Sequence, residues 1–514
     1  IALRDGAPPP SVSGRYAFGD NRLSMADGRV VLTDLTGNLR FNGARFVAND
    51  LRGVFLDRPF RGQVETRDGG QTTRISAQAR VSPGGVGSIL GEAADAPVAS
   101  ALLGSIDGVT DADIRVDVPR GGGGVDVRVQ SALAGWQSTL PAPLNKPAAT
   151  AWPLRVDFSL VDGHLGTLSA RLEGTETWRA ELGFGADGAL SSSRLGNRDR
   201  PSVAASDSKA RHRVGVTLDT LALGPWLDWW ATLERPDGGT VGAGPGDVWL
   251  DARLGRLRLG DSWLEEVSLG FAPRADGWWL GVSGEENRGE LRMSGRSGGA
   301  VGRLEGRFEQ LVLHRAKRTE AAPAAPPDAW ALSALPAADL SVRSLTVGEM
   351  ALGRLEISAG AGDGCYRIDR LEWHPVASLS VSGSGRVEDD VGAGPDGQQT
   401  QLSMMLRGDD FGKALSSIHG DSPIRGGKVE EGSLSISWPG SPASFAVGRA
   451  AGHGSVSLIE GQLKGIDPGA GRLVGLMSLG ALTDRLRLDF RDVTREGLYF
   501  ERLAGRWRLD RGLL

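Results

Sequence analysis

The sequence predicts an all-β protein, namely an elongated, curled antiparallel β-sheet meander that has an apolar groove and a few short helices. The main observation is a five-residue phrase in which a glycine is followed by two apolar residues, with single polar residues between them. It recurs at residues 37–41, 255–259, 289–293, 353–357, 432–436 and 505–509. A period of two is typical of β-strands, since successive side chains point to opposite faces, and the leading glycine indicates a turn or a bulge. Each strand is therefore expected to have one apolar and one charged face.

Residues 485–491 show this alternation most clearly, because their odd positions are charged and their even positions are apolar. A shift of the register by one residue would bury four charges, so the register is strongly specified. A long succession of such strands needs a cover for its apolar faces. That cover is either a second protein layer or lipid.

The composition supports ordered β structure and excludes several classes of function. Glycine contributes 76 of the 514 residues and proline only 26, without a collagen-like period, so glycine marks turns and bulges rather than disorder. The formal net charge is −5, from 58 basic and 63 acidic residues, which argues against a nucleic-acid partner. The single cysteine, Cys365, has no internal disulfide partner, and the six histidines are scattered without metal-ligand spacing.

Helices are expected at only a few places between the strands. They are predicted at residues 85–104, at 224–233, at 410–419 with Asp409 or Asp410 as the cap, and at 468–482. The polar stretch 191–209 is expected to be a loop. An Ala- and Pro-rich linker at residues 320–338 divides the chain near residue 325. We therefore expect an N-terminal part of the β-groove at residues 1–325 and a C-terminal part, with the last two helices, at residues 326–514.

Motifs for catalysis lack the structural context that they need. Residues 295–299 fit the G-x-S-x-G pattern, but a strand phrase follows where a nucleophile elbow requires a helix. No dinucleotide or phosphate-binding fingerprint occurs, and a glycosidase pair of carboxylates is defined by a spatial separation that sequence does not provide. We predict a protein that is not an enzyme and has no catalytic residue, metal site or cofactor, with a hydrolase on a β scaffold as an alternative.

The apolar members of the clearest alternations are the candidate lining residues of the groove. For each of them the alternative is an ordinary core position between two packed sheets. The candidates are Leu39, Phe41, Leu250, Leu254, Leu257, Leu259, Leu291, Met293, Leu355, Ile357, Leu434, Ile436, Leu486, Leu488, Phe490, Phe500 and Trp507.

The end of the chain resembles a known family. Residues 461–479 (GQLKGIDPGAGRLVGLMSL), 485–493 (RLRLDFRDV) and 497–500 (GLYF) are similar to the conserved end of the YhdP proteins, which belong with TamB to the AsmA-like superfamily. Looser similarity covers residues 140–146, 277–295 and 409–427. The family's N-terminal membrane helix and its final strands are not found here, and the chain opens at Ile1 without a methionine. We therefore expect a piece of a longer protein.

The resemblance implies a bridge-like lipid transport protein that crosses the periplasm of a Gram-negative envelope. Its groove would carry phospholipid between the inner and outer membranes without enzymatic chemistry, in support of outer-membrane lipid homeostasis and barrier function. The inner-membrane anchor would lie outside this chain, and a protein of the outer membrane or the periplasm would be a partner. The alternative is a structural or adhesive β-solenoid scaffold that binds protein partners, with a closed core of small packed residues and no lipid.

Overall fold

The computed structural model describes most of the chain and confirms the all-β prediction. The described residues are 12–25, 30–90, 97–161, 164–185, 188–197, 210–231, 248–295, 302–315, 332, 335–389, 397–419, 422–442, 445, 447–464 and 498–510. Most of them lie in strands that pair mainly antiparallel, with a few short helices between them. The chain divides into two compact units, Ile1–Gly260 and Asp261–Leu514. The domain boundary predicted near residue 325 lies outside the described residues.

In its described residues, the first unit consists of strands, most of them long, and three short α-helices. Its strands are β1 (Ser13–Met25), β2 (Val30–Asn42), β3 (Arg45–Phe55), β4 (Arg58–Arg67), β5 (Thr72–Val81), β6 (Ile106–Gly108), β7 (Thr110–Pro119), β8 (Val125–Ser131), β9 (Trp136–Ser138), β10 (Leu154–Val161), β11 (His164–Glu173), β12 (Thr177–Phe184), β13 (Leu190–Gly196), β14 (His212–Ala222) and β15 (Val248–Leu259). Its helices are α1 (Pro83–Leu90), α2 (Pro97–Gly104) and α3 (Leu223–Ala231).

Neighbouring strands of the first unit follow the order of the chain almost throughout. From β1 to β13 each strand pairs antiparallel with the next, except that β6 and β9 leave the series and form a small ribbon of their own. The last two pairings, β13 with β14 and β14 with β15, are parallel. Consecutive strands are therefore adjacent, which is the meander that the repeated phrase predicts.

The second unit has the same organisation. Its strands are β16 (Ser262–Arg274), β17 (Gly277–Ser283), β18 (Arg288–Ser294), β19 (Arg303–Arg315), β20 (Ala337–Val347), β21 (Met350–Gly362), β22 (Cys365–Val376), β23 (Leu379–Asp389), β24 (Gln398–Gly408), β25 (Ile424–Pro439), β26 (Ala451–Leu463) and β27 (Leu498–Asp510), with helix α4 (Phe411–His419). All consecutive pairings from β16 to β27 are antiparallel except the parallel pair of β19 and β20.

Parallel neighbours are the main departure from the predicted antiparallel meander. They occur where a long stretch of chain separates two strands, as between Gly196 and His212 or between Arg315 and Ala337. A hairpin needs only a few residues, whereas a crossover connection needs a dozen or more. The prediction was wrong at these pairs because alternation along one strand carries no information about the direction of its neighbour.

One predicted loop is partly a strand. Residues 191–196 belong to β13, although the sequence there is rich in serine. The backbone of β13 pairs with β12 on one side and with β14 on the other. The two neighbouring strands satisfy its backbone groups on both sides, and this tertiary pairing outweighs the weak strand preference of the side chains.

The leading glycines of the repeated phrase have two different roles. Gly37 and Gly353 have positive φ angles of 137° and 67°, and both lie beside irregular pairing, as a bulge requires. Gly289 in β18 also lies beside irregular pairing, between Arg288 and Gly289, so the predicted bulge is confirmed there too. It has a second role, because an added Cβ would come 2.3 Å from the ring of Phe308, for which the glycine makes room.

The helix predictions are confirmed wherever the residues are described. Helices α1 and α2 lie within the predicted 85–104 region to within two residues, α3 corresponds to 224–233, and α4 corresponds to 410–419. The predicted helix at 468–482 lies outside the described residues. None of the described helices combines the length and the apolar character that crossing a membrane requires.

Candidate functional site

An apolar row crosses the first unit from strand to strand. Because side chains of register partners point to the same face, the pairing joins residues that are far apart in sequence. In order from β4 to β12, omitting β6 and β9, the row is Val64, Ile75, Val116, Val127, Phe158, Leu168 and Leu182. Every member is half-buried rather than buried. The middle of this face is therefore partly open to solvent.

A corresponding row crosses every described strand of the second unit. From β16 to β27 it consists of Phe271, Leu280, Leu291, Gly306, Leu340, Ile357, Leu371, Gly383, Met404, Leu434, Gly454 and Trp507. The apolar side chains in this row are also half-buried. An apolar strip of this length with partial exposure is unusual for a protein surface and indicates a binding surface.

The two borders of the apolar face in the second unit are packed. At one end of the strands, Leu379, Val429 and Leu458 form a buried cluster with Ala414 of α4. At the other end, Tyr366 and Val387 belong to one buried cluster, and Trp438 and Leu509 belong to another. The apolar face thus has a buried border on either side of a half-buried central strip.

The helices of the first unit gather at one end of its strands. The indole of Trp136 in β9 donates to the backbone oxygen of Val81 at the end of β5, with a nitrogen–oxygen distance of 3.1 Å. From α3, Trp226 donates to the oxygen of Ala142 at 2.9 Å, and Trp229 donates to the hydroxyl of Ser105 at 3.0 Å. These bonds hold helices and loops along one border of the sheet.

The structure places the candidate residues on the apolar faces, but it separates them by burial. Leu254 and Leu257 are only 2% and 5% exposed, and Phe500 lies in the border cluster of α4, so these three are packed parts of the protein. The half-buried candidates are Leu39, Phe41, Leu250, Leu259, Leu291, Met293, Leu355, Ile357, Leu434, Ile436 and Trp507. Leu486, Leu488 and Phe490 lie outside the described residues.

Sequence reasoning missed several members of the central rows. Phe158, Leu340 and Leu371 lie on strands whose alternation does not begin with the glycine phrase. Alternation alone, without the glycine, would have been the signal for them. Their position in the middle of a row became visible only through strand pairing.

The opposite face of the first unit is charged and contains a trough of about 810 Å³. Residues of the charged face from seven strands line most of it, and four members of the apolar row border it. Arg128 donates to Asp157 with an Nε–Oδ1 distance of 2.5 Å, and Arg155 donates to the same carboxylate at 2.6 Å. Hydrogen bonds from Arg155 and Arg128 hold the pKa of Asp157 below its ordinary value, against the opposing effect of burial.

Neither face presents a recognisable catalytic or metal centre within the described part of the chain. No group of three or more His, Cys, Asp or Glu side chains there is arranged to hold a metal ion. Cys365 is a free, half-buried thiol at the start of β22. The extended apolar faces are therefore the candidate functional site.

Comparison with known proteins identifies relatives. The model of the YhdP protein family matches residues 1–514. The intermembrane phospholipid transporter YhdP of Escherichia coli (strain K12) is 24% identical to the chain over 506 residues, which are 96% of the chain and 38% of that relative. The chain thus spans less than half the length of this relative. No solved structure matches the chain.

Proposed function

The chain belongs to the YhdP protein family, and on that premise we propose that it is a segment of a non-enzymatic conduit for phospholipid. In this proposal the apolar faces line a groove that shelters acyl chains, while head groups stay at its wet edge. The observation that supports it is the half-open apolar row in each unit. The name of the E. coli relative supports the same cargo.

The energetics of such a conduit need no covalent chemistry. Each methylene that leaves water is stabilised by about 0.8 kcal/mol. Rows of similar apolar side chains offer an acyl chain nearly the same stabilisation at successive strands. Movement along the row therefore costs little, because each contact that is lost is replaced by an equivalent one.

The proposal includes a place in the cell. We propose that the chain lies in the periplasm between the inner and outer membranes, that a segment outside this chain anchors it to the inner membrane, and that a protein of the outer membrane or the periplasm receives the cargo. We also propose that residues 1–325 and 326–514 are the N-terminal and C-terminal parts of one groove.

A closed scaffold is the competing function. It requires small inward residues that are packed against a second layer. The central rows instead carry large side chains, such as Phe158, Leu371 and Trp507, that are half-buried. This pattern favours a lipid-binding face over a closed core.

The decisive experiment compares two adjacent residues of β25. Leu434 is half-buried in the apolar row, whereas Ser433 is exposed on the opposite face. We expect Leu434→Glu to lose much of the phospholipid that co-purifies with the chain in a detergent-free preparation, because a charge on this face is incompatible with acyl chains. Ser433→Glu should keep the wild-type amount.

Mass spectrometry of extracted lipid provides the readout, and urea unfolding shows whether both variants are folded. A folded wild-type protein without any bound phospholipid would contradict the proposal and favour the scaffold. Leu257→Glu is a poorer test, because Leu257 is 5% exposed and the charge would damage the packed core.

A further inference from the structure

Large side chains on the apolar face of the second unit lie opposite glycines. In a sheet, side chains ordinarily stand roughly perpendicular to the plane of the sheet. Here the cross-strand partner lacks a Cβ, and the large side chain occupies the free volume. The pairs are Gly289 with Phe308, Gly306 with Leu340, Gly383 with Met404, Gly385 with Leu402, Gly454 with Trp507 and Gly461 with Phe500.

A Cβ at these glycines would come so close to the large side chain that this side chain would have to move. A Cβ on Gly454 would lie 2.4 Å from the indole of Trp507, and a Cβ on Gly461 would lie 2.4 Å from the ring of Phe500. At Gly306 the nearest atom would be the Cδ2 of Leu340, at 2.5 Å. The large side chains therefore lie along the sheet, over their neighbours, instead of projecting away from it.

The central row of the first unit has a different composition. Its central row from Val64 to Leu182 contains only medium or large apolar residues and no glycine. In the second unit, large residues and glycines share the row, and each glycine offsets the volume of its neighbour.

Resting on the proposed function, we propose that these glycines set the depth of the lipid-binding face. The glycines allow Phe308, Leu340 and Trp507 to lie flat against the sheet. The apolar surface then stays level, so that an acyl chain meets similar contacts at successive strands. A methyl group at such a glycine raises the neighbouring side chain and places an obstacle in the path. The residue remains apolar, so the obstacle is steric rather than electrostatic.

A purely structural role for the same glycines makes a different prediction. Aromatic side chains that cover cross-strand glycines stabilise β-sheets. If stability were the whole effect, a clash on either face of the sheet would have the same consequence. The two faces of the second unit allow this comparison.

Gly281 in β17 provides the matched control. It faces the charged side, where it pairs with Glu290, and a Cβ on it would lie 2.5 Å from the ring of Trp279. Gly306 in β19 faces the apolar side, where its Cβ would meet the ends of Leu340 and Leu291 at 2.5 and 2.8 Å. In both cases the close atoms belong to side chains that can move, so both Gly→Ala variants are expected to fold.

The experiment measures lipid held and lipid released by Gly306→Ala and Gly281→Ala in the full chain. The readouts are phospholipid per chain by mass spectrometry and the rate at which a fluorescent phosphatidylethanolamine leaves the loaded protein for acceptor vesicles. We expect Gly306→Ala to lose bound lipid and to release the probe several-fold more slowly or less completely, and Gly281→Ala to match the wild type. Gly306→Ala combined with Leu340→Ala should restore most of both values, because the side chain of Leu340 is shortened while the contact with Leu291 remains.

Equal behaviour of the two Gly→Ala variants at wild-type levels would overturn the inference while leaving the proposed function intact. Absence of lipid from the wild type would instead contradict the proposed function. If Gly306→Ala did not fold, Gly14→Ala would repeat the test in the first unit, where Gly14 of β1 and Phe41 of β2 form the same kind of pair and the three nearest atoms to its Cβ belong to the ring of Phe41, the closest at 2.5 Å. Wild-type lipid handling by that variant would again overturn the inference.

Discussion

Arginine–aspartate pairs join neighbouring strands on the charged face of the first unit. Arg74 in β5 forms two hydrogen bonds with Asp117 in β7, of 2.6 and 2.9 Å, and the two residues are register partners. Arg128 and Asp157 are register partners in β8 and β10. The Arg74–Asp117 pair is bidentate and therefore geometrically specific, and a shift of the register would separate the partners of both pairs. They therefore help to hold the apolar side chains on the other face.

We predict that acid lowers the stability of the folded protein by protonating the carboxylates of Asp117 and Asp157. Hydrogen bonds from Arg74 to Asp117 and from Arg155 and Arg128 to Asp157 hold both pKa values below the ordinary value in the folded chain. The stabilisation is complete above the unfolded-state pKa of about 4 and is lost as the pH falls through the lower folded-state pKa. The urea concentration at the midpoint of unfolding should thus stay constant from pH 7 to about pH 5 and should decrease below about pH 4.

Asp157→Asn tests this explanation. Because the partners are partly exposed, the variant should lose about 1 kcal/mol or less of unfolding free energy at pH 7, and its acid decline should be shallower. Asp363→Asn, in an exposed turn between β21 and β22, serves as the control. If both variants showed the same acid decline as the wild type, pairing with arginine would not be the cause.

At the scale of single elements, helix α4 closes one border of the apolar face in the second unit. Its residue Ala414 is 1% exposed and packs with Leu379 and Val429. The helix begins after Asp410, whose carboxylate accepts a hydrogen bond from the backbone nitrogen of Lys413 at 2.9 Å. Of the two caps considered from the sequence, Asp410 is therefore the one that is used.

We predict that Asp410→Ala destabilises the protein by about 1 kcal/mol, because one backbone donor of the first turn loses its acceptor. Asp409→Ala is the matched control, since Asp409 has an 84% exposed side chain that only approaches Lys428, at 3.7 Å, and it should have almost no effect. Chemical unfolding of both variants measures the difference. An equal loss in both would contradict the assignment of the cap.

At the scale of the whole molecule, each unit carries its own apolar face of paired strands. The proposal that residues 1–325 and 326–514 form one groove requires lipid to use both faces in series. Binding and transfer should then respond differently to damage in a single unit. The amount of bound phospholipid is the sum of what the two faces bind. The rate of transfer, by contrast, is limited by the face along which lipid moves more slowly.

We predict that Leu168→Glu in the first unit and Leu434→Glu in the second each remove only part of the bound phospholipid. Either substitution alone should reduce transfer between donor and acceptor vesicles by the full-length protein as strongly as the two combined. The exposed neighbours Ser169 and Ser433 provide the controls as Ser→Glu variants. Unchanged transfer by Leu168→Glu would place the first unit outside the path.

Much of the fold and of the candidate site could be predicted from the sequence, because the relevant signals are local. The alternation around Ile357 and Leu434 predicts strands and assigns both residues to the apolar side, where the structure has them. The start of α4 was predictable from Asp410 and the residues after it. The strand β13 was not predictable in the same way, because its pairing partners, rather than its serines, stabilise it.

The sequence by itself determined that this chain forms strands with one apolar and one charged face, since a period of two depends only on residues that are near one another. Tertiary structure alone decided which apolar residues are buried and which are half-buried. Leu257 is buried, for example, whereas Ile357 is half-buried. It also decided where strands run parallel and which glycine faces which large side chain. Gly454 and Trp507 are far apart along the chain and become neighbours only when β26 pairs with β27. Pairing between distant segments is a property of the folded sheet, so no local pattern encodes it.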